Sequence, residues 1–258
     1  MEAFIVITII VIVLFGLIHQ NRKNQALIAS VTESNRGNSS ERNLVLALRK
    51  LDIHPDAIYH DLYLPKRNGS YAQIDLVMAT SVGLIVFEVK DYTGWIFGSG
   101  HRTYWTQVLA FGRQKFRMYN PVIQNRRHIE ELQKCSPQFA QIPMFSIIVF
   151  YGNCKLKKLD GLPNRVFVIK PNELKHTINS ITSNYPRANY SNKREIVNVL
   201  REASKNGENE KIVQSHITYV ELVKNQINAK DGRITNEWNF NPFPPQVRRA
   251  LRWLRNWR

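Results

Sequence analysis

Between Ala3 and Ile18 the chain runs for sixteen residues without a charge, interrupted only by Thr8 and Gly16. As a helix this run is about 24 Å long, a little under the ~30 Å hydrocarbon core of a bilayer. Met1, His19 and Gln20 lengthen it into the interfaces. It has no polar face with which to lie on a soluble domain, and its β-branched residues argue against a buried core helix. A secretory signal peptide is the alternative, but that calls for a positive n-region and a small-residue cleavage site. The N-terminus offers Glu2 instead, and Gly16-Leu17-Ile18 lacks the pattern. Residues 1–20 therefore read as a transmembrane anchor. Glu2 precedes the span and Arg22 and Lys23 follow it. The positive-inside rule then gives a single-pass membrane protein with its N-terminus outside and its soluble domain cytoplasmic. Residues 21–36, rich in Ser and Asn, read as a juxtamembrane linker.

The rest must fold in water around a core of its own. Hydrophobic residues make up 43% of the 258, enough for a packed domain and too many for a disordered chain. Cys135 and Cys154 are too few for a disulfide framework or a cysteine-based zinc site, and fit a reducing compartment. Lysine and arginine number 36 against 20 acids, a net +16 that suits a polyanionic partner: nucleic acid or an anionic membrane face.

Leu44, Leu48 and Leu51 recur at helical spacing behind the N-cap candidates Ser39 and Ser40. Glu41 projects from the same face as that stripe, either as a first-turn acid favoured by the helix dipole or as something more. Strands are expected over 58–64, 72–79, 83–90, 92–98 and 104–108, with turn chemistry at Pro65 to Gly69. Asn120 caps a helix that Pro121 opens and that runs to about Lys134. The near-continuous apolar run Met144 to Tyr151 is a strand covered on both faces, Arg165 to Ile169 another strand, and Pro171 opens a further helix. This order is α/β, with a mixed central sheet flanked by helices.

Alternation places Gln73 and Asp75 on one face of the second strand, and Glu88 and Lys90 on one face of the third. Asp75 lies five residues before Thr80 and Glu88 five after Gly83, so an antiparallel hairpin sets the two acids side by side. Paired carboxylates make a hard-oxygen site for Mg²⁺ or Mn²⁺, and a neighbouring lysine can hold or activate a water. An acid-x-Lys triplet alone is cheap and also describes an ion pair on an exposed strand. Its setting is what gives it weight.

The pattern resembles the PD-(D/E)xK, restriction-endonuclease-like nucleases, and more closely the nuclease-related domain, NERD. The matching pieces are Gly37 with Glu41, Gln73-Ile74-Asp75, Gly83 leading into Phe87-Glu88-Val89-Lys90, Gly94, Trp105, and Asn120-Pro121-Val122-Ile123-Gln124-Asn125. The family usually has a second glycine just before the glutamate, where this chain has Gly-Asn-Ser-Ser-Glu. The resemblance implies a metal-dependent nuclease in which Asp75 and Glu88 are the principal metal ligands and Glu41 a further one or the holder of a metal-bound water. The Val89 carbonyl completes the shell. Lys90 orients the attacking water and offsets charge on the scissile phosphate, Gln124 approaches the active site, and Gln73 contacts substrate or supports the ligands.

From Arg113 to Lys134 six basic residues stand against two acids, with Phe116 and Tyr119 interleaved. Arg113, Lys115, Arg117, Arg126 and Arg127 thus become candidate contacts to phosphates, unless the stretch is simply a solvated helix face. The division of the chain expected here is a nuclease-related core over 37–135, the remainder of the α/β domain over 136–185, a helical extension over 186–240 and a basic aromatic tail over 241–258. That tail contains five arginines and two tryptophans between Val247 and Arg258 and reads as a basic amphipathic helix, for anionic lipid, nucleic acid or packing. His101, His128 and His216 show no ligand spacing. The function expected is hydrolysis of phosphodiester bonds, in DNA before RNA, at a membrane. The alternative is a catalytically silent module that tethers nucleic acid or a partner there.

Overall fold

The structure, a computed structural model, describes residues 1–231. A 28-residue helix, α1 (Glu2–Ala29), opens it. Every large apolar side chain from Phe4 to Ile18 is more than half exposed, and the helix is long and apolar enough to cross a membrane. The linker expected over 21–36 is corrected: α1 continues to Ala29 because NRKNQALIA holds good helix formers and neither Gly nor Pro. Beyond it, Thr32 and Arg36 are buried in the body.

The body follows as α2 (Ser39–Lys50), β1 (Ile58–Pro65), β2 (Tyr71–Thr80), β3 (Gly83–Asp91), β4 (Gly94–Ser99), β5 (Tyr104–Leu109), β6 (Gln114–Tyr119), α3 (Pro121–Cys135), α4 (Pro137–Gln141), β7 (Met144–Tyr151), β8 (Cys154–Asp160), β9 (Val166–Ile169), α5 (Leu174–Asn184), α6 (Lys193–Asn206) and α7 (Glu210–Asp231). The mixed α/β architecture is as expected, but it has two sheets. The main one has the order β1-β2-β3-β7-β9 and the second β6-β5-β4-β8. In the main sheet β1, β2 and β3 form an antiparallel meander, and β7 returns parallel to β3 after α3. Gly83 makes that return possible: its φ is +141°, and a Cβ there would sit 2.1 Å from the Pro143 carbonyl oxygen at the start of β7.

Both faces of the main sheet are covered, as the apolar runs of β3 and β7 require. Leu44 and Leu48 of α2 pack with Leu174 and Ile178 of α5 against Ile85, Phe87 and Phe145. Leu132 of α3 and Ile196 and Leu200 of α6 cover Ile74, Val77 and Val86 on the other side. The exposed edge of β1 is closed by polar side chains. Ser204 and Asn206 of α6 donate to the carbonyls of His60 and Tyr63 at 3.1 and 3.0 Å, and Arg36 donates to that of Asp61 at 3.0 Å. The second sheet packs its inner face, Ile96, Trp105 and Met118, on Ile148 and Phe150.

Two strands escape the sequence reading. In β6, Phe116 and Met118 alternate with Lys115 and Arg117, so Gln114–Tyr119 is an edge strand just ahead of the expected helix α3. The lysine-rich β8 pairs parallel with β4. The expected tail helix over 247–258 lies outside the described residues.

Phe87 is fully buried immediately before Glu88. Phe87→Ala is expected to lower the unfolding free energy by about 3–5 kcal/mol, read from denaturant midpoints at unchanged slope.

Candidate active site

The β2–β3 ladder pairs Thr80 with Gly83 and ends at Leu76 with Phe87. Asp75 and Glu88 come next in that register, where the strands splay. Asp75 Oδ2 accepts the Val89 amide at 2.7 Å in place of a ladder bond. The break extends into β1, where pairing skips Asp61, a non-glycine residue at φ +52°. Its kink puts Tyr59 and Leu62, three residues apart, into the same apolar cluster. The hairpin expected from equal offsets therefore forms, and its acids fall at the point where three strands stop pairing regularly.

Glu88 is 1% exposed. Lys90 Nζ lies 2.5 Å from Oε1, and His128 Nε2 lies 3.2 Å from Oε2. Burial pushes the Glu88 carboxyl up, but Lys90 and His128 outweigh it, and the group stays below its ordinary range. Burial also works against the Lys90 ammonium, while Glu88, Tyr92 and Asp75 raise its pKa, so Lys90 is held as a cation. Gln124, one turn into α3, accepts from Lys90 Nζ at 3.1 Å. Asp75 goes the other way: burial, Glu88 and Glu41 push it well above the usual carboxylate range, against Lys90 and the Val89 amide.

Glu41 arrives from α2. The cap of that helix is Asn38 rather than the expected Ser39 or Ser40: its side chain accepts from the amides of Ser40 and Glu41 at 2.8 and 3.0 Å. Asn38 is followed at N3 by Glu41, which completes a capping box. Ser40 donates to Asp91 Oδ2 at 2.8 Å. Glu41 is more than a cap, because it is 3% exposed and its Oε2 lies 3.6 Å from His60 Nε2. Burial, then Asp61, and more weakly Glu88, push its carboxyl up to about 8, against the Asn38 amide and Lys90. Gly37 admits this approach: at φ +62° it has no Cβ, which would stand 2.5 Å from Glu41 Oε2. The glycine absent from the family position before the glutamate has left the helix start intact, since Asn38 supplies the cap.

Gln73 donates to Asp61 Oδ1 at 2.9 Å, and Arg36 Nε stands 3.7 Å from Asp61 Oδ2. Of the candidate phosphate contacts, Arg113 precedes β6, Lys115 and Arg117 lie on it, and Arg126 and Arg127 lie on α3; all five are exposed and none belongs to the buried cluster. Arg126 pairs with Glu130 at 3.6 Å, and Arg127 stacks 5.4 Å over the Tyr119 ring. Asp61, His60 and Arg36 are site neighbours that the sequence reading passed over, and His128, which showed no ligand spacing there, is another. His128 sits four residues after Gln124, one turn along the same helix face, and that spacing is the signal that would have found it.

The donor set suits a hard divalent cation. Carboxylates from α2, β2 and β3 converge there, and burial first, then neighbouring acids, drives Glu41 and Asp75 toward protonation. Glu88 Oε2 and His60 Nε2 are buried without a well-formed hydrogen bond. Among the described residues no three acidic, histidine or cysteine groups already form a metal cage; Glu88 is engaged by Lys90 and His128.

Fold and site together define a nuclease-like α/β domain with a buried carboxylate–lysine centre. Residues 36–151 match the family model described as "Nuclease-related domain", NERD. An uncharacterized protein from Bacillus anthracis is 31% identical over 147 residues, 57% of this chain and 68% of that one. No solved structure matches the chain. The chain belongs to the nuclease-related domain family, and the matched span contains every residue of the cluster from Arg36 to His128.

These shifts set a pH dependence. His60, driven down to about 4 chiefly by burial, contributes stability that is present above its ordinary 6.5 and lost as pH falls. Glu41 contributes stability that is present below 4.5 and lost as pH rises through about 8. Above pH 6.5 the Glu41 loss is no longer offset by His60. In EDTA, Glu41→Gln, which keeps the neutral shape, is expected to raise Tm over wild type by an amount that grows to several degrees, roughly, between pH 6.5 and 8. Parallel melting curves across that range would contradict the assignment.

Proposed function

We infer that this protein is a membrane-anchored, divalent-metal-dependent nuclease, with DNA as its substrate. The observation that carries this reading is the junction of Asp75, Glu88 and Glu41 with a lysine kept protonated by its neighbours. Asp75 and Glu88 would be the principal ligands of Mg²⁺ or Mn²⁺, Glu41 a third or the holder of a bound water, and the Val89 carbonyl an added oxygen. When bound, the ion supplies Lewis-acid polarisation of the phosphate and a more acidic water.

The chain's own groups do the rest. A lysine whose pKa is raised is a poor general base, so Lys90 acts by charge: it offsets the negative charge that builds on the scissile phosphate and orients the water. Gln124 fixes the direction of its ammonium. His128 holds the second oxygen of Glu88, and the Gln73–Asp61–Arg36 chain braces β1 and β2 at their kink. Helix α1 would tether this centre to a bilayer, with the body on the cytoplasmic side as the basic flank Arg22 and Lys23 directs. Glu41→Gln would remove one ligand while keeping the α2 cap.

The test is cleavage of linear, nicked and single-stranded DNA, and of RNA, by the full chain in detergent with Mg²⁺, Mn²⁺ or EDTA. Cleavage is expected only with metal, and Asp75→Asn and Lys90→Met are each expected to lower the rate by about 10²-fold or more while melting cooperatively. Nucleic acid bound equally by wild type and variants, with no cleavage under any metal, would replace the enzyme by a tethering module. For the anchor, the chain is expected in the membrane fraction after alkaline washing with Met1 retained. A soluble chain lacking its first twenty or so residues would make α1 a signal sequence.

A further inference from the structure

The outer face of the second sheet has no role in the site above. Strand registers align two rows across its four strands: Lys155, Trp95, Val108 and Lys115 in one, and Lys158, Phe97, Thr106 and Arg117 in the next. Each row has an aromatic on β4 and a cation at both edges. Trp95 and Phe97 are half-buried, and the four edge cations are exposed. Lys157, in the irregularity of β8, stacks 5.0 Å over Trp95, and Arg117 stacks 5.0 Å over Tyr104. Between the rows and the end of the sheet lies an open cleft of about 170 Å³, lined by Phe97, Tyr104, Thr106, Arg102, Lys158 and Asp160. Asp160 is the one acid among these residues.

We propose that this face binds single-stranded nucleic acid and feeds it to the buried centre, an inference that rests on the nucleic-acid reading above. The edge cations follow the phosphates, and Trp95 and Phe97 stack on bases, one of which enters the cleft. A duplex hides its base faces inside the stack and leaves these aromatics nothing to pair with, whereas an unpaired strand offers them freely. The rows are about 7 Å apart along the strands, and four strands span about 14 Å, room for a few nucleotides. Trp95 lies five residues beyond Lys90, at most about 17 Å of extended chain, so a strand held here passes within reach of the site. An anionic bilayer would instead take up a protruding group such as Phe111, 97% exposed at the β5–β6 turn, which belongs to neither row.

The test is fluorescence anisotropy of the full chain in detergent and EDTA, with labelled oligothymidylate and a duplex of equal length. Oligothymidylate is expected to bind more tightly than the duplex. Trp95→Ala or Phe97→Ala is expected to weaken that binding about tenfold. The exposed triple variant Lys115→Gln/Arg117→Gln/Lys158→Gln, whose melting should match wild type, is expected to flatten the log–log salt slope by about 2. Tighter duplex binding, or affinity and slope unchanged in both variant sets, overturns the proposal. So does a result in which phosphatidylserine vesicles alone are bound and the variants lose only that binding. Asp75→Asn separates the two readings: it should bind oligothymidylate like wild type while losing cleavage. Wild-type cleavage with Trp95→Ala fully active on single strands sinks the platform alone, and platform-dependent binding without cleavage sinks the nuclease alone.

Discussion

A carboxylate buried to 1% exposure is tolerable only if charge and polar partners answer it, and Glu88 has the Lys90 ammonium at one oxygen and His128 Nε2 at the other. Much of the domain serves that encounter. Lys90 comes from the same strand two residues on, and His128 must be brought by α3. Helix α3 is seated by Asn125, whose amide donates to the Val86 carbonyl and to Ser146 Oγ, both at 2.8 Å. Asn120 anchors the start of α3 to the second sheet through the carbonyls of Ser99 and Arg102. The surroundings of one buried carboxylate thus tie together β3, β7, α3 and the second sheet. Truncating Lys90 would leave a buried anion without its charged partner, a cost of about 3–5 kcal/mol in comparable settings.

Against this stabilised acid stand two that the fold does not satisfy. Asp75 and Glu41 are pushed toward their neutral forms by burial and by neighbouring acids. A structure selected for stability alone would have replaced one of them with an amide, which keeps the hydrogen bonds without the charge. Sites that hold such a conflict are where chemistry is expected. The conflict also lies close to the anchor. Thr32, three residues beyond α1, bonds His60 Nδ1 at 2.9 Å, and Gly37 makes room for Glu41 beside the same ring. The end of the membrane-crossing candidate and the wall of the site are one continuous stretch of chain.

Some of this was legible in the residues. Turn offsets sufficed to pair Asp75 with Glu88, because a short hairpin leaves register little freedom. Asn120-Pro121 announced α3, and the apolar run of β7 announced a strand covered on both faces. Asp61 was not legible: in IYHDLYL an acid interrupts an apolar run, and only the φ +52° kink turns it toward Gln73 and Arg36. Strand β6 was hidden because its lysine and arginine read as part of one basic stretch running on to Lys134, although Phe116 and Met118 alternate with them. Strand β8 was hidden by a bulge that breaks its period. The stretch after Gln20 read as linker from its polar composition, yet Arg, Lys, Gln, Ala and Leu are helix formers and the helix goes on to Ala29.

The account turns on the three carboxylates acting as one cation site. Electron paramagnetic resonance of Mn²⁺ titrated into the full chain near pH 8 tests this most directly, because free Mn²⁺ gives a six-line signal that fades on binding. The account predicts saturable binding that Asp75→Asn and Glu88→Gln each abolish and that weakens as pH falls and Glu41 takes up its proton. Mn²⁺ that stays free, or binding indifferent to both substitutions, would contradict it.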